Sequence, residues 1–314
     1  MVEPGRQDAV HSGNWYVLVR GLPRPSGPVT LASGISVVPL PAPLDVFDLA
    51  ALGSAGFREW GALEPMIREC TCEIESAKDA STQGGFDTMN RAWLAHVMLL
   101  LREFTGVSGV ACSGYSWGTI PIPGLSASWE RPVDPVTRRA RTDLPPFKGG
   151  ILDLHMRMFR LASREPTAFT ELDTAWLSNY FAAADRLASA SPQFHLALQT
   201  CSEWRFAKDM RSAIAQLWSG IEALFGMSSE LVFRIALTGA GLLAPRGPDR
   251  RAKFQEIKSL YDLRSKAVHG SKLREEQMGQ AVAGSFELLR QLLVLTIEQG
   301  HVLTHDDFDK AIFY

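Results

Sequence analysis

From residue 192 onward the chain carries an apolar stripe, Phe206, Met210, Ile214, Leu217, Ile221 and Leu224, that steps by four or three residues without a proline to interrupt it. That spacing lies along one side of an α-helix and cannot alternate across a strand, so this half must bury the stripe against other helices. The same periodicity predicts helices over 151–162, 170–188, 192–225 with a break near Trp204, 229–243, 249–268 and 274–299. An all-α bundle follows, and no period of 20–50 residues suggests a solenoid.

The first half reads differently. Trp15 to Val19, Val29 to Leu40 and Val107 to Ile120 are β-rich runs bounded by Gly and Pro, and Met89 to Phe104 places Trp93, His96, Val97, Leu100, Leu101 and Phe104 on one helical face. Six prolines between Pro121 and Pro146, with Arg138, Arg139 and Arg141 among them, form a turn-rich connector. The expected fold is therefore a small α+β domain over 1–150 followed by an all-α domain over 151–314.

Composition narrows the class. At 314 residues, 46% hydrophobic and 21% charged, the chain has room for two ordinary globular domains. Cys70, Cys72, Cys112 and Cys201 make no paired Cys-x-x-Cys framework, so a reduced cytoplasmic home is expected, with neither a metal nor a cofactor. The start of the sequence lacks a basic-then-apolar leader and no run approaches 18 apolar residues, so no membrane association is expected.

Chemistry concentrates in Tyr261-Asp-Leu-Arg-Ser-Lys-Ala-Val-His-Gly270. Asp249 is the expected N-cap of the helix leading into it and Gly270 its stop. Ser265 and His269 are i and i+4 and stack on one face, with Arg264 roughly 100° round the cylinder, so all three are placed to look toward one cleft. His269 falls in the last turn, where the partial negative charge of the helix end favours a protonated ring. From Arg246 to Arg274, nine Arg and Lys face three acids, a net +6 in a chain whose total is −2. Such a patch suits phosphates, although a solvated helix face with i to i+4 pairs has the same composition. A forked, permanent cation and an imidazole are what RNA cleavage needs, because RNA carries its own 2′-hydroxyl nucleophile. Lys266, Tyr261, Lys272 and Arg274 are the candidate substrate contacts, Tyr261 by stacking on a base or else as a core aromatic. Glu222 is the candidate partner for Arg264 or Arg234.

Trp218-Ser-Gly-Ile-Glu-Ala-Leu-Phe225, followed about forty residues later by Leu260 to Gly270, resembles the HEPN superfamily, most closely its Apea-like branch, over roughly residues 170–300. That family's signature is Arg, four to six residues, then His, with a polar residue directly after the Arg; Ser265 fills the polar position. The resemblance implies a bundle of four or five helices, a homodimer whose two Arg/His pairs share a cleft, and a metal-independent endoribonuclease with Arg264, Ser265 and His269 as its catalytic set. It further implies RNA as substrate and a toxin or phage-defence role that can involve a neutralising partner protein. Some relatives are non-catalytic dimerisation or RNA-binding modules, which is the alternative reading. Others carry a tyrosine two residues after the His as an adenylylation acceptor, and here that position is Ser271.

A second motif, Gly114-Tyr-Ser116-Trp-Gly118, matches the nucleophile elbow of α/β-hydrolases. The elbow must launch a helix, and Pro121 and Pro123 forbid an uninterrupted one. Hydrolase chemistry is not expected from it. His96, His155, His195 and His301 show no ligand spacing and are expected to be structural.

Overall fold

The computed structural model describes residues 13–44, 57–78, 87–120, 149–152, 158–159, 161, 166–226 and 231–314. The chain forms two compact units, Met1–Met156 with Ala162–Ala182, and Arg157–Leu161 with Ala183–Tyr314. The change of unit thus falls within a helix, α3 (Glu171–Ala190), and not at residue 150. The proline-rich connector lies outside the described residues.

Among the described residues, the first unit is built on a six-stranded antiparallel sheet in the order β2-β3-β4-β1-β5-β6. Its strands are β1 (Trp15–Arg20), β2 (Val29–Ala32), β3 (Ile35–Pro39), β4 (Cys70–Ser76), β5 (Ser108–Ser113) and β6 (Gly149–Ile151). Helices α1 (Phe57–Ile67) and α2 (Thr88–Leu101) belong to this unit, and α2 packs against β1, β3, β4 and β5. Register sets the faces. Leu18 lies opposite Glu73 and Ala111, so these three project to one side, and Tyr16, Leu18, Leu63, Met66, Ala111 and Trp117 form a buried cluster there.

The α+β expectation holds for this unit, with three corrections. Strand β4, next to the central β1, was not predicted, because Cys-Thr-Cys-Glu-Ile-Glu-Ser has few β-branched residues and two charges where a central strand should be apolar. The strand predicted over 107–120 ends at Ser113, and a 3₁₀ turn, Trp117–Thr119, follows it. The helix predicted over 151–162 is replaced, at its described positions, by the end of β6 and by irregular chain. The amides there find partners elsewhere: Leu152 N–H donates to Val110 O at 2.9 Å and Phe159 N–H to Arg205 O at 2.8 Å.

The second unit is helical, as the periodicity requires. It contains α4 (Pro192–Glu203), a 3₁₀ turn at Trp204–Phe206, α5 (Met210–Phe225), α6 (Leu231–Leu243), α7 (Pro248–Val268), α8 (Glu275–Gln299) and α9 (His305–Phe313). Helix α5 packs against α4, α7 and α8. Its stripe residues Ile214, Leu217, Ile221 and Leu224 are buried, and Trp218 is fully buried with its Nε1–H on Ser285 Oγ of α8 at 2.9 Å. The break at Trp204 is real, and α9 is an addition the sequence reading did not make. No helix among the described residues is long and apolar enough to cross a membrane.

Candidate functional site

Helix α7 begins one residue before the predicted N-cap. Pro248 takes the first helical position, where its missing N–H costs nothing, and Gly247 is the cap, so Asp249 lies in the first turn. The other end is a Schellman turn around His269. Gly270 has φ +74°, Ser271 N–H donates to Lys266 O at 2.9 Å and Gly270 N–H to Ala267 O at 3.4 Å. A positive φ is where glycine has no Cβ penalty. His269 is therefore the C-cap residue, with its own N–H on Ser265 O at 3.0 Å and its side chain exposed.

Arg264 faces inward from the same helix. Its Nη2 lies 3.0 Å from Glu222 Oε1 of α5, with the two side chains 23% and 25% exposed, and its guanidinium sits over the Tyr261 ring, 5.3 Å from the centroid. Tyr261 in turn meets Trp218 edge-on, ring centroids 5.1 Å apart. Four of the residues in the two sequence blocks, Trp218, Glu222, Tyr261 and Arg264, thus form one chain of contacts between α5 and α7. Arg264 Nε is buried and has no hydrogen-bond partner among the described residues, which leaves one prong of the fork unused.

The predicted set is therefore gathered on one helix end but divided between two surroundings. Arg264 and Tyr261 lie against α5, while His269 is exposed at the tip, and no hydrogen bond joins Arg264 to His269 or to Ser265. Lys266, Lys272 and Arg274 are exposed around the tip, and Arg274 is also the N-cap residue of α8. The wider basic stretch is less free than its composition suggests. Arg250 donates to Ala244 O and Ala311 O, Arg246 to Ile312 O, and Lys253 pairs with Glu256, so part of the charge ties α7 to the end of α6 and to α9.

One residue at this tip went unnoticed in the sequence. Arg211, in the first turn of α5, donates from Nη1 to Ala267 O at 2.7 Å and from Nη2 to Ser271 O at 2.7 Å, with Lys266 O at 3.4 Å from Nη1. Its partners lie 55 to 60 residues away in sequence, so no local pattern announces it. Arg211 also borders a cavity of about 500 Å³ lined by Phe159, Lys208, Met210, Glu275 and Met278.

In the first unit the Gly-x-Ser-x-Gly segment has its own partner. Ser116 Oγ–H donates to Glu73 Oε1 at 2.6 Å and accepts from Gly118 N–H at 3.1 Å, while Trp117 N–H donates to Glu73 Oε2 at 2.7 Å. Burial pushes the Glu73 carboxyl up to about 7, against the lowering effect of those two hydrogen bonds. The serine caps a 3₁₀ turn, Trp117–Thr119, and the described residues up to Ile120 show no α-helix launched from it. His96 Nε2 lies 3.1 Å from Val107 O and His301 pairs with Asp307 at 3.2 Å, both structural contacts, and His155 lies outside the described residues. No family model, curated protein or solved structure matches this chain.

Proposed function

We infer that the chain is a metal-independent endoribonuclease of HEPN type, acting as a homodimer on RNA. The observation that carries this reading is an exposed histidine held on a fixed Schellman turn, directly after an Arg-Ser pair and among the exposed cations Lys266, Lys272 and Arg274. In the reaction the substrate's 2′-hydroxyl attacks the adjacent phosphorus, His269 moves a proton, and Arg264 stabilises charge on the crowded phosphorane. Arg264 exchanges its contact with Glu222 for a phosphate oxygen, and Ser265 orients the imidazole or donates to the phosphate. One pair supplies only half the groups, so a second copy related by a two-fold axis contributes the other acid or base. Lys266, Lys272 and Arg274 hold flanking phosphates.

The test is cleavage of labelled RNA by the full chain, with and without chelator. The expected products end in 2′,3′-cyclic phosphate and 5′-hydroxyl, and chelator leaves the rate unchanged. Full cleavage by His269→Ala would refute the assignment. A toxin or phage-defence role is tested by growth: arrest on expression should be relieved by His269→Ala. A cytoplasmic location and a neutralising partner protein belong to the same reading.

One observation favours a second reading. Arg264 is already engaged by Glu222 and Tyr261, as in a structural ion pair, which fits a non-catalytic HEPN-like dimerisation or RNA-binding module. Tight RNA binding without any strand scission would select it.

A further inference from the structure

The last carbonyls of a helix have no partners within it, and a turn that follows them is normally completed by its own amides or by water. At the end of α7 the amides of Gly270 and Ser271 already satisfy Ala267 O and Lys266 O. Arg211 adds a second layer from another helix, joining Ala267 O before His269 to Ser271 O after it with two 2.7 Å hydrogen bonds from one planar guanidinium. A rigid fork that grips the carbonyls on either side of the three-residue stretch Val268, His269 and Gly270 limits how far that stretch of backbone can move. The base of the fork is itself fixed: Arg211 is the second residue of α5, whose start is capped by Asp209 accepting from Ser212 N–H at 2.8 Å.

We propose that Arg211 is a positioning residue for His269, bracing the turn that carries the imidazole against the bundle so that proton transfer occurs at a set place. The proposal rests on the nuclease reading above. It deepens that reading by naming a group on α5 whose two Nη atoms donate to main-chain carbonyls of the turn and so act through its backbone. A general acid or base loses rate steeply when displaced by about 1 Å, whereas binding of a flexible strand through several cations is far less sensitive.

The experiment compares full-length wild type with Arg211→Ala and Arg211→Lys in two measurements. In RNA cleavage, Arg211→Ala should lower kcat by about tenfold to a hundredfold with KM changed by less than about threefold, and Arg211→Lys, which keeps the charge and part of the donor set, should recover much of the loss. In amide hydrogen exchange, protection at Gly270 and Ser271 should fall in Arg211→Ala while the interiors of α5, α7 and α8 keep theirs, which separates a loosened turn from general unfolding. An active wild type whose Arg211→Ala variant cleaves at an unchanged kcat overturns the proposal, as does undiminished protection at Gly270 and Ser271. A wild-type chain that cleaves no RNA defeats the nuclease reading instead and takes the catalytic half of this one with it, while exchange still decides whether the brace exists.

Discussion

The turn after β5 and the end of α7 each carry a serine inside a recognisable motif, yet their surroundings differ in kind. At Ser116 the hydroxyl both donates and accepts, its partner Glu73 is buried, and the neighbouring Trp117 amide is spent on the same carboxylate. At the α7 tip the backbone is equally well fixed, but the histidine ring is exposed and exposed cations surround it. A motif becomes a site when its scaffold is satisfied and its chemical groups are not. The sheet unit meets the first condition alone, whereas at the α7 tip the His269 ring and the cations Lys266, Lys272 and Arg274 are left exposed while Arg264 is engaged by Glu222.

The largest expected contrast is catalytic. Loss of His269 to Ala should reduce RNA cleavage by about 10²–10⁴-fold, the usual range for a general acid or base, whereas Ser116→Ala should leave cleavage within error. Equal losses from both would erase the distinction between the two turns.

The next effect is one of pH and belongs to the sheet unit. Glu73 has its folded value raised to about 7 from the usual 4.5, so the unfolded chain ionises first. Its protonated form adds stability that is complete below about pH 4.5 and is lost as pH rises through about 7, a change of about 3 kcal/mol at 1.36 kcal/mol per unit. Urea melts at pH 5 and pH 8 should show wild type losing that much more stability than Glu73→Gln. Parallel pH profiles for the two proteins would show that the carboxylate is solvated after all.

Smaller still is the packing between α4 and α5. A methyl on Gly220 would collide with Thr200 Oγ1 and press on Leu289 and the Ala197 backbone. Gly220→Ala should therefore destabilise the helical unit by about 1–3 kcal/mol, read from the same denaturant melts. The smallest effect is expected at Glu222→Gln. The pair it forms with Arg264 is about a quarter exposed, so its loss should cost no more than about 1 kcal/mol after allowing for solvent screening. Removing that acid also frees Arg264, so tighter RNA binding with little change in stability is the expected result, measured by fluorescence anisotropy. Weaker binding would instead make the pair part of the RNA contact.

Much of this was readable in the residues. The stripe from Met210 to Leu224, the break near Trp204 and the Gly270 stop are local signals, governed by helical period and backbone sterics, and each reappears at its expected place. So does the pairing of Glu222 with Arg264, one of two partners proposed for that acid. The failures share a cause. Strand β4 looks too polar to be central, and becomes so only because Glu73 finds Ser116 and the Trp117 amide more than 40 residues away. Leu152 and Phe159, read as part of a helix over 151–162, give their amides to Val110 O and Arg205 O.

The sequence by itself determined the helical half, the mixed character of the other half and the grouping of Arg264, Ser265 and His269 on one helix end, because periodicity and capping act within a few residues. Only the tertiary structure decided which of those side chains stay exposed. Arg264 turned to Glu222 and Tyr261, Arg211 closed over the His269 turn, and Glu73 took the Ser116 hydroxyl, each through partners brought together from distant segments by burial. Such choices depend on which polar groups are shut away from water, and that is known only once the segments have packed.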